Sequence, residues 1–410
     1  MKKALLTKSK KLLATYLPPA KICWQISIIY GCWWGLLLLL AAIFATDTIL
    51  PFTPTYASVE NVTQSGLPAA LARWGGFDGV HYYSIVAHGY QSAHGIQAFF
   101  PLYPLLVTLI GSLLPNYILS GVLLAGCCSL IFLLLTHQYL RQNYSPWLAW
   151  WWLAVWLTNP ASFFLVSFYT ESLFLLLLFL TWLAYKNKAY RWSGFWGMLL
   201  TASRVVGVVA VTVLVLTYLY RAYKTQQLFT RQTLVHVLYL GSGALGLLAY
   251  CLYLWWQFAD PLLFVHVQND FGAGRQTDSL VLLPQVLWRY GKMFYYGLPL
   301  NSKTYAIVQE LILSVTGGLI LIITGWQNYH ALKPFYPWEW WLFSVGAFML
   351  PTLTGSFSSM PRYLLVCLVI PLCCSRLANK KPLLGGVGLI LSALLLSVNL
   401  LLFIAGLWVA

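Results

Sequence analysis

Long apolar runs separated by short polar segments dominate the pattern along this chain. The first run extends from Ile22 to Leu50, and the last, Leu383–Val409, contains no charged residue. Between them lie Ala98–Leu114, Tyr117–Leu140, Trp147–Leu157, Phe168–Tyr185, Trp192–Tyr220, Leu234–Phe258, Tyr305–Trp326, Trp338–Leu353 and Tyr363–Cys374. A helix of about 20 apolar residues crosses a bilayer and satisfies its backbone hydrogen bonds internally. The pattern therefore predicts an all-α, polytopic transmembrane bundle of about 10–13 membrane helices, some of them short or re-entrant.

The run Trp192–Tyr220 is interrupted at Ser203–Arg204, and basic loops flank it on both sides. Because Lys and Arg mark cytoplasmic loops, both ends are predicted to be cytoplasmic. Two short helices that meet near Arg204 would satisfy this, and would place Arg204 near the outer face. If every upstream run crossed the membrane, the basic loop Lys186–Arg191 would lie outside, which contradicts the cytoplasmic preference of basic loops. One run between Ala98 and Leu157 is therefore predicted to be re-entrant or too short to cross.

Composition agrees with a membrane protein, since 60% of the 410 residues are hydrophobic and only 8% are charged. Soluble domains carry about 25% charged residues. The net charge of +15 does not indicate a nucleic-acid partner, because the basic residues cluster beside apolar runs. The first run is preceded by a lysine-rich segment that includes Lys2, Lys3, Lys8, Lys10 and Lys11. These lysines predict a cytoplasmic N-terminus and an exoplasmic loop at residues 51–97. The chain as a whole, residues 1–410, is predicted to form a single domain surrounded by membrane lipids.

Asp78 is the candidate for chemistry in the predicted exoplasmic loop. It lies in the segment Arg73-Trp74-Gly75-Gly76-Phe77-Asp78-Gly79-Val80-His81-Tyr82-Tyr83. Glycines on both sides keep bulk away from the carboxylate, and His81 lies one helical turn on if the segment is helical. A carboxylate beside a histidine can act as a base or hold a phosphate and a sugar. A loop carboxylate that caps a helix starting at Gly79 is the alternative.

Further motifs follow Asp78 in a defined order. They are Ala87-His88-Gly89-Tyr90, Ala98-Phe99-Phe100-Pro101-Leu102-Tyr103-Pro104, Asn159-Pro160-Ala161-Ser162-Phe163-Phe164, Tyr169-Thr170-Glu171-Ser172-Leu173-Phe174, Thr201-Ala202-Ser203-Arg204 with Gly207, Asp260-Pro261 with Phe264 and Gln268, and Ser359-Met360-Pro361-Arg362-Tyr363. In this order and spacing, the series resembles the family of GPI mannosyltransferase II and its bacterial relatives, within the GT-C class of glycosyltransferases. The resemblance covers roughly residues 71–275 and the stretch around Arg362. One departure is Phe77, where the family usually has Trp.

The resemblance implies an integral membrane enzyme, here expected in a bacterial plasma membrane, with the endoplasmic reticulum as the alternative. It implies transfer of a sugar, mannose by resemblance, from a polyprenyl-phosphate donor to a lipid or glycan acceptor at the exoplasmic face. GT-C enzymes usually invert the anomeric centre, which requires a base for the acceptor hydroxyl and cations for the leaving phosphate. Asp78 is then the catalytic base, and Arg204 and Arg362 are the phosphate ligands. Each arginine has the alternative of snorkelling to the interface.

Six further residues are expected to contribute to substrate binding. His81 and Arg73 belong to the motif around Asp78, and Gln268 belongs to the motif that begins at Asp260. Tyr169 and Glu171 open an apolar run, where they would bind a sugar hydroxyl or simply start a helix. Tyr103 would line a sugar or lipid groove, or pack in the core.

No metal and no cofactor is expected, because no acidic pair with metal-ligand spacing occurs and the lipid-linked sugar is itself a substrate. Two other classes remain open. A lipid or glycolipid transporter or flippase would also have many helices and a few buried charges, but such proteins commonly show duplicated halves. A non-catalytic protein of cell-envelope assembly would not require Asp78 or Arg204.

Overall fold

The computed structural model describes residues 16–46, 49–114, 116–268, 281–299 and 301–409. Helix accounts for 76% of the structure, and no strand occurs within the described ranges. In chain order the α-helices are α1 (Ala20–Phe44), α2 (Glu60–Thr63), α3 (Ala69–Ala72), α4 (Asp78–His88), α5 (Leu102–Gly111), α6 (Tyr117–Asn143), α7 (Pro146–Thr158), α8 (Glu171–Lys186), α9 (Tyr190–Ser203), α10 (Gly207–Lys224), α11 (Arg231–Gly241), α12 (Leu245–Phe258), α13 (Leu263–His266), α14 (Leu283–Tyr295), α15 (Ser302–His330), α16 (Trp338–Thr352), α17 (Met360–Leu365), α18 (Val369–Lys380) and α19 (Pro382–Ile404). Short 3₁₀ helices occur at Arg73–Gly75, Ile96–Ala98, Ser162–Val166 and Ser242–Ala244.

Six helical segments of the described chain are long and apolar enough to cross a membrane. They are α1, α6, α10, the continuous segment Arg231–Phe258 formed by α11 and α12, α15 and α19. The remaining apolar runs form shorter helices packed among them. The prediction of an all-α, polytopic membrane bundle is thus confirmed. Helix α5 has 10 residues and spans about 15 Å, which agrees with a run too short to cross between Ala98 and Leu157.

The centre of the bundle is helix α8. Every residue from Glu171 to Tyr185 is buried, and α6 and α9 pack against this helix. A helix that is apolar on all sides needs such surroundings, since it has no polar face to turn towards water. Its first residue, Glu171, is its only carboxylate. The fold therefore places a carboxylate at one end of its most buried helix.

The predicted interruption near Arg204 is confirmed as a break between two helices. Helix α9 ends at Ser203, α10 begins at Gly207, and Arg204 adopts an extended backbone. A glycine is needed at 207, because a Cβ there would lie 2.8 Å from the Leu200 carbonyl oxygen. The two helices pack against each other and leave Arg204 at their junction.

The sidedness of the protein stays a prediction. The five N-terminal lysines on which it rests lie outside the described residues. The predicted exoplasmic loop, residues 51–97, contains α2, α3 and α4, so it is an ordered part of the molecule rather than a linker. Its last α-helix, α4, begins at Asp78.

Candidate active site

Four charged side chains from four distant segments form one cluster, which we call the charge cluster: Asp78, Glu171, Arg204 and Arg362. Arg362 Nη1 donates to Asp78 Oδ2 at 2.6 Å, although 284 positions separate the two residues. Arg362 also donates from Nε to Glu171 Oε1 at 2.8 Å and places Nη2 2.7 Å from the same oxygen. Arg204 Nη1 donates to that oxygen at 2.8 Å. Glu171 therefore bridges both arginines.

Asp78 reaches the cluster through a strained turn. The preceding residue, Phe77, has φ 52° and ψ −119°, a backbone conformation that is unfavourable for a residue with a side chain. Its ring packs against Tyr56, with centroids 4.4 Å apart, and edge-on against Trp408. The Gly76 carbonyl accepts a hydrogen bond from the Tyr169 hydroxyl at 2.9 Å. Packing and this hydrogen bond hold the strained turn, and strain of this kind is typical of functional sites.

Arg362 also follows a residue with positive φ. Ser359 has φ 65°, and the short helix α17 begins directly after it with Pro361 in its first turn. The Arg362 amide donates to the Ser359 carbonyl at 3.0 Å, which fixes the arginine one turn from the strained residue. The guanidinium carbon lies 4.8 Å from the ring centroid of Tyr169 and 5.1 Å from that of Phe164. These aromatic faces add cation–π stabilisation to the ion pairs.

Exposure differs sharply within the cluster. The side chain of Glu171 is 0% exposed and that of Arg362 is 5% exposed, whereas those of Arg204 and Asp78 are 15% and 24% exposed. The formal charges of the four groups cancel, which is how buried ions are tolerated. The cluster is therefore most accessible from outside at Asp78 and Arg204. Glu171 Oε2 has no hydrogen-bond partner among the described residues, so the cluster can accept one additional donor.

His81 lies in α4 beside the cluster, with its ring stacked 4.8 Å from the Phe99 ring centroid. Burial lowers the pKa of this imidazole from its ordinary value of 6.5, and the nearby Asp78 charge opposes that shift only in part. The neutral ring is thus the dominant form at neutral pH. A neutral imidazole can accept or donate one hydrogen bond but adds no positive charge.

The side chains of the other residues predicted to bind substrate form hydrogen bonds to backbone carbonyls of the protein itself. The hydroxyls of Tyr169 and Tyr103 donate to the carbonyls of Gly76 and Gly121, and both side chains are fully buried. Arg73 is buried, donates to the Ile404 carbonyl at 3.5 Å and lies 4.5 Å from the Phe52 ring centroid. Gln268 donates to the carbonyl of Phe264 at 3.1 Å. Direct substrate contacts from these four residues stay predictions.

Glu171 is predicted from the sequence to bind a sugar hydroxyl. In the structure its carboxylate instead pairs with the guanidinium groups of Arg204 and Arg362. The helix start expected as the alternative is present, since α8 begins at Glu171. Nothing in the spacing indicated that its carboxylate would join Arg204 to Arg362. Among the described residues no three His, Cys, Asp or Glu side chains lie close enough to hold a metal ion. Independence from a metal stays a prediction.

One buried carboxylate near the cluster, Glu310, is not among the site residues predicted from the sequence. Glu310 lies in α15 with 3% of its surface exposed, and its Oε1 accepts a hydrogen bond from the Ser359 amide at 3.1 Å. A signal was present, because an acidic residue inside the predicted membrane run Tyr305–Trp326 is costly and is a functional candidate by default. Its neighbours in space could not be inferred from its surroundings in sequence.

A family model described as Mannosyltransferase (PIG-V) matches residues 32–265, which is more than half of the chain. The matched region contains Asp78, His81, Tyr169, Glu171 and Arg204, and Arg362 lies beyond it. No curated protein and no solved structure matches the chain. With its apolar spanning helices, the match confirms the resemblance that the sequence motifs indicated. The chain belongs to the mannosyltransferase (PIG-V) family and is an integral membrane glycosyltransferase.

Proposed function

We propose that the protein transfers a mannosyl group from a polyprenyl-phosphate donor to a hydroxyl of a lipid or glycan acceptor, with inversion at the anomeric carbon. The reaction takes place at the exoplasmic face, in a bacterial plasma membrane. The observation that carries the proposal is the contact of Arg362 with both Asp78 and Glu171, on which Arg204 also converges. A base and two cations thus lie within one network, as displacement of a phosphate leaving group requires.

Asp78 acts as the base in this proposal. As the acceptor oxygen forms its bond to the anomeric carbon, the hydroxyl proton passes to the Asp78 carboxylate. The bond between the anomeric carbon and the phosphate oxygen breaks, and its electron pair leaves with the polyprenyl phosphate. The ion pair with Arg362 favours the charged carboxylate, which is the form that can take the proton.

Arg204 contacts the donor phosphate directly. It uses only Nη1 for a hydrogen bond to the described residues, and its guanidinium has five N–H groups in total. It is also the more exposed of the two arginines. Arg362 already uses Nε, Nη1 and Nη2 within the cluster, so it holds the two carboxylates in place and stabilises the phosphate mainly through its charge.

Glu171 has a supporting role in this arrangement. It is fully buried and bridges both arginines, so its charge fixes the two guanidinium groups side by side. His81 and Arg73 lie close to Asp78 in sequence, and Gln268 follows α13; all three are assigned to substrate binding. The rival functions of transport and scaffolding would not require a base next to paired cations. Membership of a mannosyltransferase family favours the enzyme.

The test is sugar transfer by the purified protein in liposomes that contain polyprenyl-phosphate [¹⁴C]mannose and a panel of lipid and glycan acceptors. Parallel liposomes receive GDP-[¹⁴C]mannose instead. We expect labelled product only with the lipid donor, with release of polyprenyl phosphate in equal amount. Transfer from the nucleotide sugar, or movement of the lipid donor across the bilayer without any transfer, would overturn the proposal.

A further inference from the structure

A second buried carboxylate, Glu310, lies behind the charge cluster. Its Oε1 accepts from the Ser359 amide at 3.1 Å and from Trp408 Nε1 at 3.4 Å. Its Oε2 accepts from the Tyr290 hydroxyl at 3.3 Å. Three donors from three segments therefore meet on one carboxylate in a membrane helix, where a charge is costly unless it is paired or hydrogen-bonded.

The donors of Glu310 lead to both strained turns of the active site. Ser359 is itself the residue with positive φ that precedes the helix of Arg362. Trp408 packs edge-on against Phe77, with ring centroids 5.6 Å apart, and Phe77 is the strained residue before Asp78. Glu310 thus contacts Ser359, which precedes the helix of Arg362, and Trp408, which packs against the residue before Asp78.

The segment before Ser359 is held by the same network. The Phe357 amide donates to the Tyr290 hydroxyl at 3.1 Å, and that hydroxyl donates to Glu310. Arg289 Nη1 donates to the Gly355 carbonyl at 3.1 Å. Backbone strain persists only where the surroundings over-determine it, and here hydrogen bonds reach residues 355, 357 and 359.

We infer that Glu310 is a positioning residue, which fixes the Ser359 turn and the Phe77 packing so that Arg362 meets Asp78 in the geometry for transfer. The inference rests on the roles proposed above for Asp78 and Arg362. Glu310 acts through the backbone of residues 355–362, because it accepts from the Ser359 amide and from the Tyr290 hydroxyl, which itself accepts from the Phe357 amide. Loss of its acceptors leaves a buried Ser359 amide unsatisfied and lets the turn relax.

The kinetic test compares Glu310→Leu with Glu310→Gln and with the control Gln309→Leu. Gln309 precedes Glu310 on α15 and is also buried. Its one side-chain hydrogen bond to the described residues is a 3.4 Å contact with the Val409 carbonyl. We expect Glu310→Leu to lower kcat about 10–100-fold with little change in the KM for donor. Glu310→Gln keeps one acceptor oxygen for Ser359 and should lose less, while Gln309→Leu should remain near wild type.

A double-mutant cycle separates positioning from general damage. If Glu310 acts through Arg362, then Glu310→Leu should add little to the loss already caused by Arg362→Lys, since coupled residues are not additive. The inference would be overturned if the double variant lost kcat by the product of the two single losses, or if Gln309→Leu lost as much kcat as Glu310→Leu.

If Glu310→Leu does not accumulate as folded protein, Tyr290→Phe takes its place. We expect it to lower kcat about 3–10-fold, and wild-type kcat would count against the network.

Hydrogen exchange supplies a readout that does not depend on sugar transfer. Amides of residues 355–363 should exchange faster in Glu310→Leu than in wild type, and should remain protected in Gln309→Leu. If wild-type protein transfers no mannose from the lipid donor, the proposed function fails but the exchange arm still decides the role of Glu310. Unchanged protection of residues 355–363 in Glu310→Leu would overturn the inference, whatever the activity.

Discussion

Removing the charge of Glu171 should destabilise the protein through the two arginines that it bridges. The substitution Glu171→Gln keeps the size of the side chain and one acceptor oxygen. It leaves the guanidinium groups of Arg204 and Arg362 side by side, with Asp78 as the remaining counter-charge of the cluster. Removing one partner of a buried ion pair costs about 3–5 kcal/mol, because the remaining charge is buried without compensation.

The expected shift in thermal unfolding follows from that free energy. An unfolding entropy of about 2.1 cal/mol/K per residue gives roughly 0.9 kcal/mol/K for this length of chain, so Glu171→Gln should lower the apparent Tm by about 3–6 °C. The assay is unfolding of detergent-purified protein, followed by fluorescence of its tryptophans at a fixed heating rate. The matched control is Glu60→Gln, which changes a carboxylate at the start of the short helix α2, outside the charge cluster.

A second substitution distinguishes electrostatics from packing. In Glu171→Gln/Arg204→Gln the cluster again holds one positive and one negative group, so the double variant should be more stable than Glu171→Gln alone. Additive destabilisation by the two changes, or a Glu171→Gln variant with the Tm of Glu60→Gln, would refute the bridging role of Glu171.

Three further outcomes are expected. Arg204→Ala should weaken binding of the polyprenyl-phosphate donor about 10–150-fold, measured by equilibrium binding, because a charge-assisted hydrogen bond contributes about 1.5–3 kcal/mol; unchanged affinity would remove Arg204 as the phosphate ligand. Ser65→Cys should react with a membrane-impermeant thiol reagent in intact cells, and labelling only after permeabilisation would reverse the predicted topology. Because the folded-state pKa of His81 lies below 6.5, the unfolded chain binds the proton more readily, and stability should fall as pH is lowered from 7 through 6.5 towards the folded value. His81→Asn should reduce that fall, and an identical pH profile would contradict the assigned shift.

The membrane bundle and the break at Arg204 could be predicted from sequence because both depend on local features. Apolar length identifies a spanning helix wherever it occurs, and basic loops at both ends of Trp192–Tyr220 require a turn within it. Most of the apolar runs coincide with helices to within about six residues, but the run Tyr363–Cys374 is divided between α17 and α18. The ordered motifs also gave the family, and they named all four members of the charge cluster as candidates.

The pairing within that cluster could not be predicted. Asp78 and Arg362 are 284 positions apart, and their contact depends on two turns in which the residues with positive φ, Phe77 and Ser359, are not glycines. Glu171 resembled a helix start with a possible sugar contact, and only the tertiary structure shows it between two arginines. Glu310 was visible as an acid in an apolar run, but its partners Ser359, Tyr290 and Trp408 come from segments far apart in the chain.

The central claim is that Asp78 takes the proton from the acceptor hydroxyl, and Asp78→Asn tests it most directly. The amide keeps the size of the side chain but cannot act as a base. The measurement is the single-turnover rate of mannose transfer from saturating polyprenyl-phosphate mannose, with donor affinity and Tm determined on the same preparation and Glu60→Gln as the control. General-base assistance contributes about 10²–10⁴-fold, so the rate should fall at least 100-fold in Asp78→Asn while the donor still binds and Glu60→Gln remains near wild type. A transfer rate in Asp78→Asn close to that of wild type would contradict the assignment.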